Sequence, residues 1–156
     1  MEESTMNHFM QRAIELALTN VEEGGQPFGA VLVKDDQIIA EGVNELHIVH
    51  DISGHAELLA MRRAQQKLKT NDLSGFTMYA SGEPCAMCLT AMYFANIQEI
   101  YFAESVEQAA AAGLGTSKFI YNELKLDKSD RAASMQQLPI EEGVASPMQR
   151  WKNYQK

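Results

Sequence analysis

A chain of 156 residues and 17.4 kDa has room for one domain with its own core, and 46% apolar against 22% charged residues is a globular balance, not that of a disordered, collagenous or coiled-coil chain. The net charge of −8 runs against a nucleic-acid partner, because phosphate neutralisation favours basic surfaces. Two cysteines cannot build a disulfide framework, no apolar run reaches the ~20 residues that span a bilayer, and the acidic start Met1-Glu2-Glu3 is unlike a secretory signal, so a single soluble, cytoplasmic domain over residues 1–156 is expected.

The first expected element is a helix over residues 5–22. Met6, Phe9, Met10, Ala13, Ile14, Ala17, Leu18 and Val21 recur at helical spacing as one continuous apolar face, Thr5 stands where an N-cap is wanted, and Gly24-Gly25 ends the run. Phe28 to Val33 and Ile38 to Ala40 are β-rich runs about the polar turn Lys34-Asp35-Asp36-Gln37, which reads as a hairpin. A second helix follows over residues 56–68, then a strand from Phe76 to Ala80. Pro84 opens a helix over Cys85 to Ala95, and Glu99 to Ala103 is the next strand. The aromatic group Phe94, Tyr101 and Phe102 is assigned to the core. Ala109 to Ala112 is a short helix closed by Gly113, and Lys118 to Leu126 is another. Asp127 to Gly143 is polar and irregular. Ser146-Pro147 then opens a last helix that carries Trp151 and Tyr154. Alternation of helix and strand predicts an α/β sandwich with mixed strands.

Two constellations carry chemistry: His55-Ala56-Glu57 and Pro84-Cys85-Ala86-Met87-Cys88. Each falls at an expected helix start, and a strand separates them. Residues three apart share a helix face, so Cys85 and Cys88 can point at one ion. A helix N-terminus favours anions and helps hold thiolates. His55 can supply a third ligand. Three protein ligands leave a fourth position for water, the arrangement of a catalytic zinc site, where the metal lowers the pKa of that water. Glu57 can face the same pocket without binding the metal, which suits a proton shuttle. Taken alone, Cys-x-x-Cys also fits a redox pair or half of a structural zinc knuckle, which His8, His47 or His50 could help complete. Taken together and in this order, His-x-Glu and Pro-Cys-x-x-Cys match the zinc-deaminase pattern. Glu83 is read as a cap for the following helix or as an organiser of the pocket loop.

The chain resembles the cytidine-deaminase superfamily, and within it the nucleobase and tRNA-adenosine deaminase branch. The resemblance runs from the first helix to about Tyr121. It rests on Pro27-Phe28-Gly29-Ala30-Val31, Glu41-Gly42-x-Asn44, Asp51-x-Ser53-x-His55-Ala56-Glu57 and Glu83-Pro84-Cys85-Ala86-Met87-Cys88. Phe119-Ile120-Tyr121 and Ser146-Pro147-Met148-Gln149-x-Trp151 are similar to the small bacterial guanine deaminases. The resemblance implies a three-layer α/β/α sandwich with a five-stranded mixed sheet, one zinc ion per subunit, and hydrolytic deamination of a small-molecule nucleobase, guanine to xanthine. It implies metal ligands His55, Cys85 and Cys88, a catalytic Glu57, and substrate contacts from Phe28, Asn44 and Ala56. Phe94 would lie near a partner's pocket in a homodimer, with residues 144–156 swapped onto that partner.

Three features depart from the guanine-type pattern. Gly113 to Lys118 carries no carboxylate where an acidic pair is usual, the chain ends Tyr154-Gln155-Lys156 rather than on an aromatic residue, and Ile52 stands where proline follows Asp51. These bear on which base is taken, because buried polar contacts dominate discrimination, and leave deamination untouched. The alternatives are tRNA adenosine and another base or nucleoside such as cytosine. From Lys118 onward seven Lys/Arg stand against five Asp/Glu, a small basic excess for an RNA partner.

Overall fold

The computed structural model describes residues 3–155, with side chains from His8 onward, so the expected Thr5 cap and Met6 packing lie outside the described side chains. The chain forms two compact units, Met1–Asn122 and Glu123–Lys156. The first holds α1 (Glu3–Glu22), β1 (Gly29–Lys34), β2 (Gln37–Val43), α2 (Ala56–Leu68), β3 (Thr77–Gly82), α3 (Ala86–Phe94), β4 (Glu99–Glu104) and α4 (Val106–Ala111). Helix α5 (Thr116–Leu124) begins in the first unit and runs across the boundary after Asn122. No helix among the described residues is long and apolar enough to cross a membrane.

The hairpin turns through Asp35 and Asp36, both at positive φ (51° and 60°). Two left-handed residues give the turn whose twist matches that of the flanking strands. The sheet order is β2-β1-β3-β4. β1 is antiparallel to both β2 and β3, and β4 is parallel to β3. Parallel neighbours require a crossover, and α3 provides it.

Strand periodicity sends alternate residues to opposite faces. Ala30, Leu32 and Met78 pack with Ala60 and Ala64 of α2 and Met92 of α3. Val31, Val33 and Tyr79 pack with Phe9 and Ala13 of α1. Helices therefore cover both faces of a mixed sheet. Full burial of a side chain such as Leu32 stabilises by roughly 1.5–3 kcal/mol.

Two glycines set how closely these layers approach. A Cβ on Gly29 would stand 2.4 Å from the carbonyl oxygen of Ala13 in α1. A Cβ on Gly42 would stand 2.2 Å from the carbonyl oxygen of Ala56, in the first turn of α2. Only a residue without a side chain allows either contact.

The sheet has four strands among the described residues, not the five expected. After β4 the chain turns helical at once. Ser105 accepts from the Gln108 amide while the Gln108 side chain accepts from the Ser105 amide, a capping box that starts α4 at Val106. That is earlier than the expected Ala109, because the alanine run hid the Ser-x-x-Gln signal. Beyond Gly113 come α5 and irregular chain, with no further β-rich run. The aromatic group expected in the core is also corrected: Phe94, Tyr101 and Phe102 are all exposed. Tyr101 instead stacks on Tyr79, with ring centroids 5.4 Å apart.

The second unit is mostly irregular, with a 3-10 turn at Lys128–Asp130 and helix α6 (Pro147–Tyr154). Glu123 anchors Arg131 and Ala132 through its carbonyl and carboxylate. Ser146 caps α6 by accepting from the Gln149 amide, with proline at the first helical position, as the sequence predicts.

Candidate metal centre and active site

His55 and Cys85 occupy equivalent places. Each is the extended residue just before a helix, α2 and α3 respectively, and neither side chain caps its helix. Both side chains are left to serve something else. Cys88 is the third residue of α3 and is wholly buried. His55 Nδ1 lies 3.5 Å from Cys85 Sγ and 3.6 Å from Cys88 Sγ, and the three ligand atoms all lie within 4.8 Å of one another. Tetrahedral zinc with ordinary bond lengths separates a sulfur from a nitrogen ligand by about 3.6 Å. Among the described residues no other group of His, Cys, Asp or Glu has this geometry, so His8, His47 and His50 do not join it.

The electrostatics of the donors agree. The Cys85 thiol is pulled down to about 4, first by its hydrogen bond with Cys88 and then by His55. The Cys88 thiol is pushed up, first by its hydrogen bond with Cys85 and then by burial. Two thiolates side by side repel, so one keeps a proton while its neighbour ionises. A dication between them removes that conflict, and the donor set fits a single zinc ion.

Glu57 is the second residue of α2, 6% exposed. Burial raises its carboxyl to about 7, and the Cys85 charge adds to the rise while His55 opposes it. A carboxyl that exchanges its proton near neutrality is matched to proton transfer.

His55, Glu57 and Cys85 open onto a cavity of about 450 Å³ in the first unit. Phe28 and Asn44 also line it. The Phe28 ring is held against Gly82, where an added Cβ would meet it at 2.8 Å. Asn44 is buried and fixed by four bonds, one of them from its backbone N–H to the Phe28 carbonyl at 3.2 Å. Its Oδ1 accepts from the Leu46 amide at 3.0 Å, its Nδ2 donates to Gln26 at 3.3 Å, and its carbonyl accepts from Asn20 at 2.9 Å. Ala56 is fully buried in the core and its side chain does not form the cavity wall. Phe94, at the end of α3, is 85% exposed and is not part of the wall.

Further residues complete the wall. Glu83 accepts from the Val106 amide at 3.1 Å and so anchors the start of α4, rather than the helix after Pro84. Glu104, Ser117 and Ile120 line the cavity from β4 and α5. Behind the wall, the Tyr121 hydroxyl donates to the Pro84 carbonyl. The Phe119-Ile120-Tyr121 run was the available signal for this side of the site, but only as a resemblance.

Residues 3–104 match the profile of the cytidine and deoxycytidylate deaminase zinc-binding region. The chain is 41% identical over 152 residues to guanine deaminase of Bacillus subtilis, covering 96% of each protein. The X-ray structure of guanine deaminase from Bacillus subtilis superposes with a TM-score of 0.88, at 39% identity, over 99% of this chain and 96% of that one. Guanine deaminase from Nitrosomonas europaea matches with a TM-score of 0.64 at 31% identity, over 67% of this chain and 62% of that one. A tRNA-specific adenosine deaminase of Agrobacterium fabrum is 35% identical over 112 residues, 72% of this chain and 74% of that one.

Proposed function

This chain belongs to the cytidine and deoxycytidylate deaminase zinc-binding family, hydrolases of carbon–nitrogen bonds in cyclic amidines, and we propose that it deaminates the free base guanine to xanthine and ammonia. The observation that carries this reading is one cavity onto which the His55 and Cys85 ligands, the buried Glu57, the Phe28 ring and the fixed Asn44 all open.

In this reading His55, Cys85 and Cys88 hold zinc. Zinc bound there supplies Lewis-acid chemistry that makes a water nucleophilic near neutral pH. Glu57 takes the proton from that water. It delivers the proton to the ring nitrogen beside the amine-bearing carbon, then carries the second proton to the departing amine. The new carbon–oxygen bond replaces the carbon–nitrogen bond, and one water is consumed per ammonia. Phe28 stacks on the base and Asn44 hydrogen-bonds its edge. The rigid bonding of Asn44 supports this role, because a side chain already locked loses little entropy on binding. A reducing cytoplasm suits two thiolates reserved for metal.

The same reading makes the enzyme a single functional domain that works as a homodimer. Residues 144–156 pack on the partner subunit, and Phe94 reaches the partner's cavity. The exposed Phe94, Met148, Trp151 and Tyr154 support this, since large exposed aromatic and methionine side chains are characteristic of interfaces. A second reading, adenosine in tRNA, is favoured by the Agrobacterium relative and opposed by the net charge of −8. Ammonia release by the zinc-loaded protein from guanine, guanosine, adenine, cytosine, cytidine and tRNA decides between them. Guanine is expected far above the rest. Inosine formation in tRNA without guanine turnover would reverse the assignment.

A further inference from the structure

We propose that Glu104, assisted by the hydroxyl of Ser117, binds the ring N–H of the substrate and restricts this cavity to free bases. The inference rests on the deaminase reading above and assigns specificity within the same site.

The polar groups of the cavity wall are almost all committed. Asn44, held by Leu46 and Gln26, is already assigned to the edge of the base. Glu83 holds the Val106 amide. Ser105 and Gln108 satisfy one another in the capping box. Glu57 is the proton carrier. Two groups remain. Among the described residues the Glu104 carboxylate has no hydrogen-bond or ion-pair partner, and the buried Ser117 Oγ has none. A buried hydroxyl without a partner costs stability that a bound ligand can restore.

Position supports the pairing. Glu104 is opposite Gly82 in the β3–β4 register, and the Phe28 ring is packed against Gly82. The free carboxylate therefore stands at the level of the aromatic surface that takes the base. Ser117 lies in the segment that lacks the expected acidic pair, so the acceptor missing from α5 is supplied from the end of β4.

The chemistry then selects a ligand class. An ionised carboxylate only accepts, so it needs an N–H. A free purine carries one on its five-membered ring, whereas a nucleoside carries sugar there. Nucleotides are disfavoured further, because Glu57, Glu83 and Glu104 line the cavity and no Lys or Arg does.

The test uses zinc-loaded wild type, E104A, E104Q, E104D and S117A, with ammonia release from guanine, 9-methylguanine and guanosine. E104A should raise KM for guanine about 10- to 100-fold, the range of a hydrogen bond to a charged group, with zinc content unchanged and kcat within a few-fold. Its preference for guanine over 9-methylguanine should vanish, which general damage would not produce, and E104D should restore part of it. S117A should raise KM about 2- to 10-fold. Should another free base be preferred, the comparison is made with that base and its ring-N-methyl analogue. Unchanged KM and preference in both E104A and E104Q would overturn the proposal, as would wild type that turns over guanosine as well as guanine. Wild type that releases ammonia from no base would overturn the deaminase reading and this proposal with it.

Discussion

The Tyr121 hydroxyl lies 2.6 Å from the carbonyl oxygen of Pro84 and donates to it. Pro84 immediately precedes Cys85, so α5 ties down the peptide that presents a metal ligand. Desolvation and nearby acidic groups, Glu83 foremost, push the phenol up to about 12, so it stays a donor across the working pH range. Tyr121→Phe removes the bond and little else. Outer-shell partners of metal ligands typically affect metal affinity about 10- to 100-fold, and Tyr121→Phe should lose zinc to a chelator that much more readily. Equal zinc retention by the variant and the wild type would show that the tie is dispensable.

Glu57→Gln separates chemistry from metal binding. The amide keeps the shape and the burial but cannot carry the proton. Turnover should fall by at least the ~10²–10⁴-fold typical of general acid–base groups, while elemental analysis still finds one zinc per chain. A zinc-loaded variant with wild-type turnover would remove Glu57 from the mechanism.

Zinc removal should destabilise the fold. A ligand present at 100 times its dissociation constant contributes about 2.7 kcal/mol, which for a chain of this size is a melting shift of roughly 5–10 °C. Chelation and Cys88→Ser should each give a shift of this order by calorimetry. Acidification should release the metal, because the ligands bind only when deprotonated: more zinc is retained at pH 8 than at pH 5. Identical melting of stripped and loaded protein would mean that the metal does not couple to folding.

Gly42→Ala should damage both stability and activity. The new methyl group would stand 2.2 Å from the Ala56 carbonyl, and the residues on either side of Ala56 are His55 and Glu57. Overpacking of this kind costs roughly 1–3 kcal/mol. Gly113→Ala is the control: its φ of 94° gives strain of about 1–2 kcal/mol, but an added Cβ meets nothing, so turnover should be unchanged. Equal losses of turnover in the two variants would refute the spacing role of Gly42.

The contrast among these residues shows where sequence reading succeeds. Helix α2 is expected over residues 56–68 and is found there, because apolar periodicity is a local property; its left-handed end at Lys69 is visible only in the structure. His55, Glu57, Cys85 and Cys88 were legible because zinc chemistry needs those residue types at that spacing. Four strands were counted from local pattern, and the fifth came only from the resemblance. Glu83 reaching Val106, Tyr121 reaching Pro84 and Glu104 entering the cavity were not legible, since each contact spans tens of residues and depends on how sheet and helices assemble.

The four-stranded sheet has one more consequence. Among the described residues β4 pairs only with β3, so its other side is an open edge. That edge reads Glu99-Ile100-Tyr101-Phe102-Ala103-Glu104, an apolar β-prone run of the sort that templates aggregation. Its two ends are acidic. If a second copy added itself antiparallel and in register, Glu99 of each chain would face Glu104 of the other, and like charges directly opposed destabilise such a pair. Glutamates at both ends would therefore oppose edge-to-edge pairing of two copies, and a neutral residue at position 104 would weaken that opposition.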